Sequence, residues 1–317
     1  MSIGVGVIGA GMMGADHVRT LTNRVDGAHV AAVSDVDAAR AGAAAREAEG
    51  AGVIADPHAL IADPAVDAVV VASFDPSHEE FVLACIEAGK PVLCEKPLAT
   101  SAEACLRVIE AETAGGRRLV SLGFMRRFDP AYASVKERVD EGGIGDVLLV
   151  HCAHRNAVAP PAYTSEMLIT SSAVHEIDVT RWLLGEEIVG ATVRAPRSTK
   201  QAPNGLRDPQ LVLLETASGV LIDVEVFVNA RYGYDIRCEL VGETGTLRLD
   251  EQIAPDFRAR FATAYRRELD CWVQGLDHGP TAWDGYAANA VADACLESLE
   301  TGVGATVQLV ARPALYA

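Results

Sequence analysis

The sequence predicts an α/β doubly wound parallel sheet, followed by an α+β domain with a mostly antiparallel open sheet. Three observations carry this expectation. Residues 1–123 alternate near-continuous apolar runs with amphipathic stretches, a glycine-rich turn joins the first of each, and beyond residue 123 strand-like segments follow one another through turns. Apolar runs without polar alternation are buried on both faces, as in a parallel sheet covered by helices. Consecutive strands joined by turns give antiparallel pairing instead. The expected division is residues 1–123 and 124–317.

In order, the first half reads as strands at 3–8, 30–34, 53–55, 66–72, 92–94 and 119–122. Helices fall between them at 12–23, 38–48, 57–62 (opened by Asp56), 76–88 and 101–114. The second half opens with a helix at 130–141, which runs through Gly142-Gly143 into a strand at 147–153. A helix at 172–184 precedes strands at 189–195, 210–216, 220–226, 236–242 and 246–250. Ala217-Ser218-Gly219 makes one hairpin turn, the stretch 196–209 with its three prolines reads as a loop, and helices at 257–274 and 281–301 close the chain. Along the strand at 220–226, Val220, Ile222, Val224 and Val226 alternate with Leu221, Asp223, Glu225 and Phe227, so both faces are partly apolar.

Composition excludes several function classes. The chain of 317 residues carries 27 Lys+Arg against 44 Asp+Glu, a formal net charge of -17. Phosphate neutralisation needs clustered Lys and Arg, so neither nucleic acid nor an anionic membrane surface is an expected partner. No apolar run approaches the roughly 18 residues of a membrane span, and no basic segment precedes the first strand, so a cytoplasmic protein without a signal peptide is expected. Seven scattered cysteines without a CxxC pair read as reduced core residues. No HExxH or Cys/His cluster occurs, and His151 and His154 point to opposite faces of a strand, so no metal is expected.

Gly9-Ala10-Gly11-Met12-Met13-Gly14 is a GxGxxG between the first strand and the first helix, the context a Rossmann dinucleotide site demands. Gly9 permits the turn, Gly11 lets the backbone approach a pyrophosphate, and Gly14 lets the helix pack close to the strand. Asp35 follows the second strand, where an acid accepts from a ribose 2′-hydroxyl and repels a 2′-phosphate, favouring NAD. The candidate cofactor set is Gly9, Gly11, Met12, Met13, Gly14, Asp35, Ser73, His78 and Glu95. FAD would be a rival occupant; a large second domain suits a nicotinamide, because hydride transfer needs a substrate pocket over the ring. Lys96 follows the fifth strand at its carboxyl end, where such sheets place ligands. It could stabilise negative charge developing on a substrate oxygen.

Gly9 to Gly14, Glu95-Lys96-Pro97 and His175-Glu176-Ile177-Asp178 together resemble the family of glucose–fructose oxidoreductase and inositol dehydrogenase. Within it the chain is most similar to inositol 2-dehydrogenases. Further matching segments include Gly123-Phe124-Met125-Arg126-Arg127-Phe128-Asp129, His154-Arg155-Asn156, Tyr232-Gly233-Tyr234-Asp235 and Trp283-Asp284-Gly285-Tyr286. The resemblance implies NAD-dependent oxidation of a cyclic polyol, myo-inositol first among them. It implies Lys96 on the reacting hydroxyl and His175 as general base, and an imidazole suits that proton transfer. It implies Met125, Arg126, His154, Asn156 and Tyr234 as pocket residues, and a homotetramer built on the second domain's sheet. Asp178, one helical turn after His175, would orient it or cap the pocket.

Family members usually carry an aspartate four residues before the histidine; this chain has Ser171, which takes that place in the expected catalytic set. Four residues apart in a helix is the same face, so the missing carboxylate would have stabilised the imidazolium. Three readings stay open: Ser171 serves a different polyol or pyranose, another carboxylate such as Asp75 substitutes, or catalysis is impaired. The last leaves room for a dinucleotide-binding sensor, against which Lys96 and His175 are both retained.

Overall fold

The structure is a computed structural model that describes residues 2–203, 205–249, 252–275 and 279–317. The chain folds into two compact units. The first comprises the chain up to Phe124 with Tyr265–Tyr286 and Ala311–Ala317; the second is Met125–Ala264 with Ala287–Val310. Segments from the last fifth of the sequence therefore belong to the first unit, where the sequence alone suggested a single cut near residue 123.

In the first unit β1 (Ile3–Ile8), α1 (Met12–Arg24), β2 (Ala28–Ser34), α2 (Ala38–Glu47), β3 (Gly52–Val53) and α3 (Pro57–Ala62) follow in order. Then come β4 (Ala68–Val71), α4 (His78–Glu87), β5 (Val92–Glu95), α5 (Ala102–Gly115) and β6 (Val120–Gly123). All pairings are parallel in the order β3-β2-β1-β4-β5-β6. The order reverses between β1 and β4, the switch point at which doubly wound sheets bind ligands. Every residue of β4 and β5 is buried, as the apolar runs Ala68–Val71 and Val92–Cys94 require; Glu95 ends β5 as a buried charge. Side chains set the helix starts: Asp37 accepts from the Ala39 and Arg40 N–H groups, Asp56 from His58, and Ser101 from Ala104. The C-terminal segment is tied in by Tyr316, whose hydroxyl donates to the buried Glu112; that carboxylate also accepts from the Leu119 and Val120 N–H groups.

The second unit begins with α6 (Pro130–Asp140), capped by Asp129, and β7 (Val147–Arg155). A π-helical turn, Leu168–Ala173, leads into α7 (Val174–Leu184). Strands β8 (Ile188–Arg194), β9 (Gln210–Thr216), β10 (Leu221–Phe227), β11 (Tyr234–Gly242), β12 (Thr246–Arg248) and β13 (Ile253–Ala254) precede α8 (Phe257–Val273), α9 (Ala282–Thr301) and β14 (Ala305–Thr306). Of these, α8 from Tyr265 onward and α9 up to Tyr286 belong to the first unit. The strand expected at 246–250 is thus Thr246–Arg248, with Asp250 outside the described residues. The sheet order is β12-β11-β7-β10-β9-β8-β14, antiparallel except that β7 and β10 run parallel. His154 lies on the central strand β7, opposite Val226 on one side and Ile236 on the other. As the alternation predicted, Ile222, Val224 and Val226 are fully buried while Leu221 is exposed.

Candidate active site

In the first unit the glycine turn is built as the motif requires. Gly9 has φ +91°, and a Cβ there would fall 2.4 Å from the Ala72 carbonyl oxygen. A Cβ on Gly14 would sit 1.8 Å from the Gly9 oxygen, so only glycine lets α1 start this close to β1. At Gly11 a Cβ would meet nothing within 4 Å. That open approach to the N-terminus of α1 fits a pyrophosphate, which the helix's free N–H groups and dipole favour. Met12, in the first turn, is exposed, while Gly14 is buried. Asp35 closes the turn: Oδ2 accepts from Ala10 N at 2.7 Å and Oδ1 from Asp37 N at 2.7 Å. Its position at the end of β2 fits a ribose diol.

The remaining residues of this half-site support the loops after β4 and β5. Ser73 Oγ is 2.7 Å from Ser77 Oγ. His78 is 1 % exposed, its Nδ1 2.7 Å from the Pro97 carbonyl and its Nε2 3.1 Å from that of Ser73. Its ring therefore pins the segment after β4 to the one carrying Lys96. Glu95 is buried as well: Oε1 lies 2.7 Å from His17 Nε2 on α1, and Oε2 accepts from the Lys96 N–H at 3.3 Å. Burial alone would raise the Glu95 carboxyl, but the His17 hydrogen bond and the charges of His17 and Lys96 hold it below the ordinary range. Both carboxylate oxygens are thus occupied by protein. His17 carried no signal in the sequence beyond its place one turn into a buried helix.

In the second unit, α7 presents His175, Glu176 and Asp178 from a helix buried at every position from Val174 to Arg181. Charged residues there need partners, and they have them. Glu176 bonds Arg126 Nη1 and lies 2.9 and 3.2 Å from His154 Nδ1; Arg126 Nη2 is 3.2 Å from the same nitrogen. Burial would raise the Glu176 carboxyl, and the Arg126 charge, with the hydrogen bonds from His154 and Arg126, overrides it and holds it low. Asp178 pairs with Arg127 (Nε to Oδ2, 3.0 Å). Tyr234 packs edge-on against His154 at 5.8 Å between ring centroids, and burial pushes its hydroxyl up to about 12, so the phenol stays a neutral donor. His175 lies 6.3 Å from His154 between centroids. Met125 is buried, and Asn156, half-buried just past β7, ties its backbone to Phe227 and Ala230.

Of the pocket residues the resemblance implied, His154, Tyr234 and Arg126 are therefore gathered in one cluster, with His175, the implied base, beside His154. Arg126, at 1 % exposure, meets the Nδ1 edge of His154. Ser171 is half-buried in the π-helical turn, which also takes in Ser172 and Ala173, the first two residues of the helix expected at 172–184. The π turn ends at Ala173 and α7 begins at Val174, so Ser171 and His175 lie on either side of the change from i→i+5 to i→i+4 hydrogen bonding. The neighbouring Tyr163 hydroxyl donates to Met167 O at 2.9 Å and bonds Ser172 Oγ at 2.8 Å. Sequence reasoning missed Glu176 and Arg127; the available signal was four ionisable residues inside an otherwise apolar helix.

A glycine cradle at the switch point of a doubly wound sheet, with an acid at the end of β2, defines a dinucleotide-dependent enzyme, and the second unit adds a buried polar cluster. A model of the oxidoreductase family with NAD-binding Rossmann fold matches residues 3–124, and one of the GFO/IDH/MocA C-terminal domain matches 132–248. The chain is 56 % identical to inositol 2-dehydrogenase 2 of Saccharopolyspora erythraea, covering 100 % of this chain and 99 % of the relative. It is 47 % identical to inositol 2-dehydrogenase of Burkholderia ambifaria over the same shares. The crystal structure of myo-inositol dehydrogenase from Lactobacillus casei in complex with NAD(H) and myo-inositol superposes with a TM-score of 0.96 at 36 % identity, covering 100 % of both chains. The chain belongs to the GFO/IDH/MocA oxidoreductase family, and it is an NAD-dependent oxidoreductase acting on CH–OH groups.

Proposed function

We propose that the protein oxidises myo-inositol to 2-keto-myo-inositol, with Lys96, His175 and Ser171 as its catalytic residues. The observation that carries this reading is identity of 47–57 % along the whole chain to relatives named inositol 2-dehydrogenase. When bound, NAD supplies the hydride acceptor. His175 takes the hydroxyl proton while the carbinol hydrogen departs as hydride, and the C–O bond becomes C=O. Lys96 donates to that oxygen and stabilises the charge developing on it. Met125, His154, Asn156 and Tyr234 line the polyol site, and Arg126 meets the Nδ1 edge of His154. Gly9, Gly11, Met12, Met13, Gly14 and Asp35 carry the cofactor, with Ser73, His78 and Glu95 shaping the loops around it.

Ser171 keeps a hydroxyl but brings no charge, so His175 works without a carboxylate at that place. The exposed face of the second sheet carries Leu149, Leu211, Leu213 and Leu221, which supports a homotetramer assembled through it. Among the described residues no helix is long and apolar enough to cross a membrane, which is compatible with the cytoplasmic location this reading assigns.

The deciding experiment is NADH formation from NAD with myo-, scyllo- and chiro-inositol and glucose, alongside Ser171→Asp. Turnover of one polyol by the unaltered chain, with the variant slower or switched in preference, marks Ser171 as a specificity residue. Inactivity of the unaltered chain on all four, with myo-inositol turnover by the variant, makes it a dehydrogenase lacking its carboxylate. Inactivity of both overturns the proposal.

A further inference from the structure

We infer that Glu176 is a positioning residue: it fixes a proton on His154 Nδ1, so that the ring offers Nε2 to the substrate as a hydrogen-bond acceptor. This deepens the polyol reading above and rests on it. His154 Nδ1 faces two groups of opposite character. An ionised carboxylate only accepts and a guanidinium only donates, and Nδ1 lies 2.9 Å from Glu176 Oε2 but 3.2 Å from Arg126 Nη2. Without a hydrogen on Nδ1, its lone pair would face those of a carboxylate in a buried site where no water intervenes. With one, a charge-assisted N–H···O bond forms. Arg126 gives up only the longer contact and keeps its bond to Glu176 through Nη1. The proton therefore belongs on Nδ1.

The ring is held in this orientation. His154 is 3 % exposed, with Tyr234 edge-on against it at 87° and His175 on another side. Glu176 is itself fully buried, and its neighbours keep it ionised against the effect of burial. His154 Nε2 has no hydrogen-bond partner among the described residues; every hydrogen bond of the ring goes through Nδ1. A neutral imidazole protonated on Nδ1 carries its lone pair on Nε2, so it takes an O–H and rejects a carbonyl or an aliphatic carbon at that position. A substrate hydroxyl bound this way keeps its own lone pairs for the donors around it. Glu176 thus acts on the substrate through His154.

Nitrogen-15 NMR of the full chain with labelled histidine tests the tautomer directly. The His154 resonances, assigned by their loss in His154→Gln, should show the hydrogen on Nδ1 and a bare Nε2; a hydrogen on Nε2 in the unaltered protein overturns the inference. Glu176→Gln keeps a carbonyl to accept from Nδ1 but removes the charge. The KM for myo-inositol should rise roughly 10- to 100-fold, with kcat less affected and the KM for NAD within about twofold. A merely structural role would move both KM values together, and that result, or an unchanged polyol KM in the folded variant, overturns the positioning role. If Glu176→Gln does not fold, the tautomer read on the unaltered chain still decides. A bare Nε2 in a chain that oxidises no polyol would leave the tautomer standing and overturn the substrate reading on its own.

Discussion

The polar and glycine-rich clusters of the two units are built from opposite materials. In the first unit, the nucleotide half-site is made of backbone and of missing side chains: Gly9 in a left-handed conformation, Gly14 against the Gly9 carbonyl, and open space at Gly11. In the second, the cluster is made of buried charge: Arg126 and Glu176 at 1 % and 0 % exposure, with His154 attached to both. A dinucleotide presents the same phosphates and riboses to every enzyme, so shape and a helix terminus suffice. A buried cluster of donors and acceptors keeps their directions fixed, and fixing them inside a protein takes ion pairs.

The sharpest way to break the contrast is Arg126→Met. It should leave the buried Glu176 uncompensated and lower the stability of the chain by about 3–5 kcal/mol, measured by chemical denaturation, while the affinity for NAD in titrations of folded protein stays unchanged. A loss under about 1 kcal/mol would mean that water reaches Glu176 and that the cluster is not the closed network described. Gly14→Ala attacks the other half. Its Cβ would meet backbone, which can yield only if α1 shifts, so we expect a cost of about 1–3 kcal/mol with a matching loss of NAD affinity by fluorescence titration. Unchanged NAD binding would show that the close start of α1 is dispensable.

The smallest effect concerns acid stability, in which both halves share. The Glu95 and Glu176 carboxyls lie below the ordinary value of 4.5. A lowered folded value contributes stability that is fully present above the unfolded value and is lost as pH falls through the folded one. Glu112 runs the other way: burial raises its carboxyl, so its contribution grows rather than falls as the pH drops. The melting temperature should therefore fall as the pH drops below about 4.5. The fall should be shallower in Glu95→Gln and in Glu176→Gln. An identical acid slope in all three proteins would mean that neither carboxylate is held low by its neighbours.

The same contrast governs what could be read in advance. The Gly9 to Gly14 turn, Asp35, the order of strands and helices, and the alternation along β10 are local: each follows from residues a few positions apart, and the structure has them where the pattern placed them. Ser171 shows where local reasoning ends. The segment that carries it is a π-helical turn from Leu168 to Ala173, with α7 starting only at Val174, and no short-range spacing announces that change of helix type. His78 and Glu95 sit beside the expected cofactor site, yet their polar atoms are committed to Pro97, Ser73, His17 and the Lys96 N–H. Those partners lie up to 78 residues away in the chain, a separation that no periodicity encodes.

The sequence by itself determined the fold class, the dinucleotide turn and the family, because hydrophobic period, turn chemistry and short motifs are properties of neighbouring residues. Only the tertiary structure decided which buried ionisable groups face one another: Glu176 with Arg126 and His154, Asp178 with Arg127, His17 with Glu95, and Glu112 with a tyrosine 204 positions later. A charge removed from water must find its partner wherever packing brings one, and packing is a property of the whole chain.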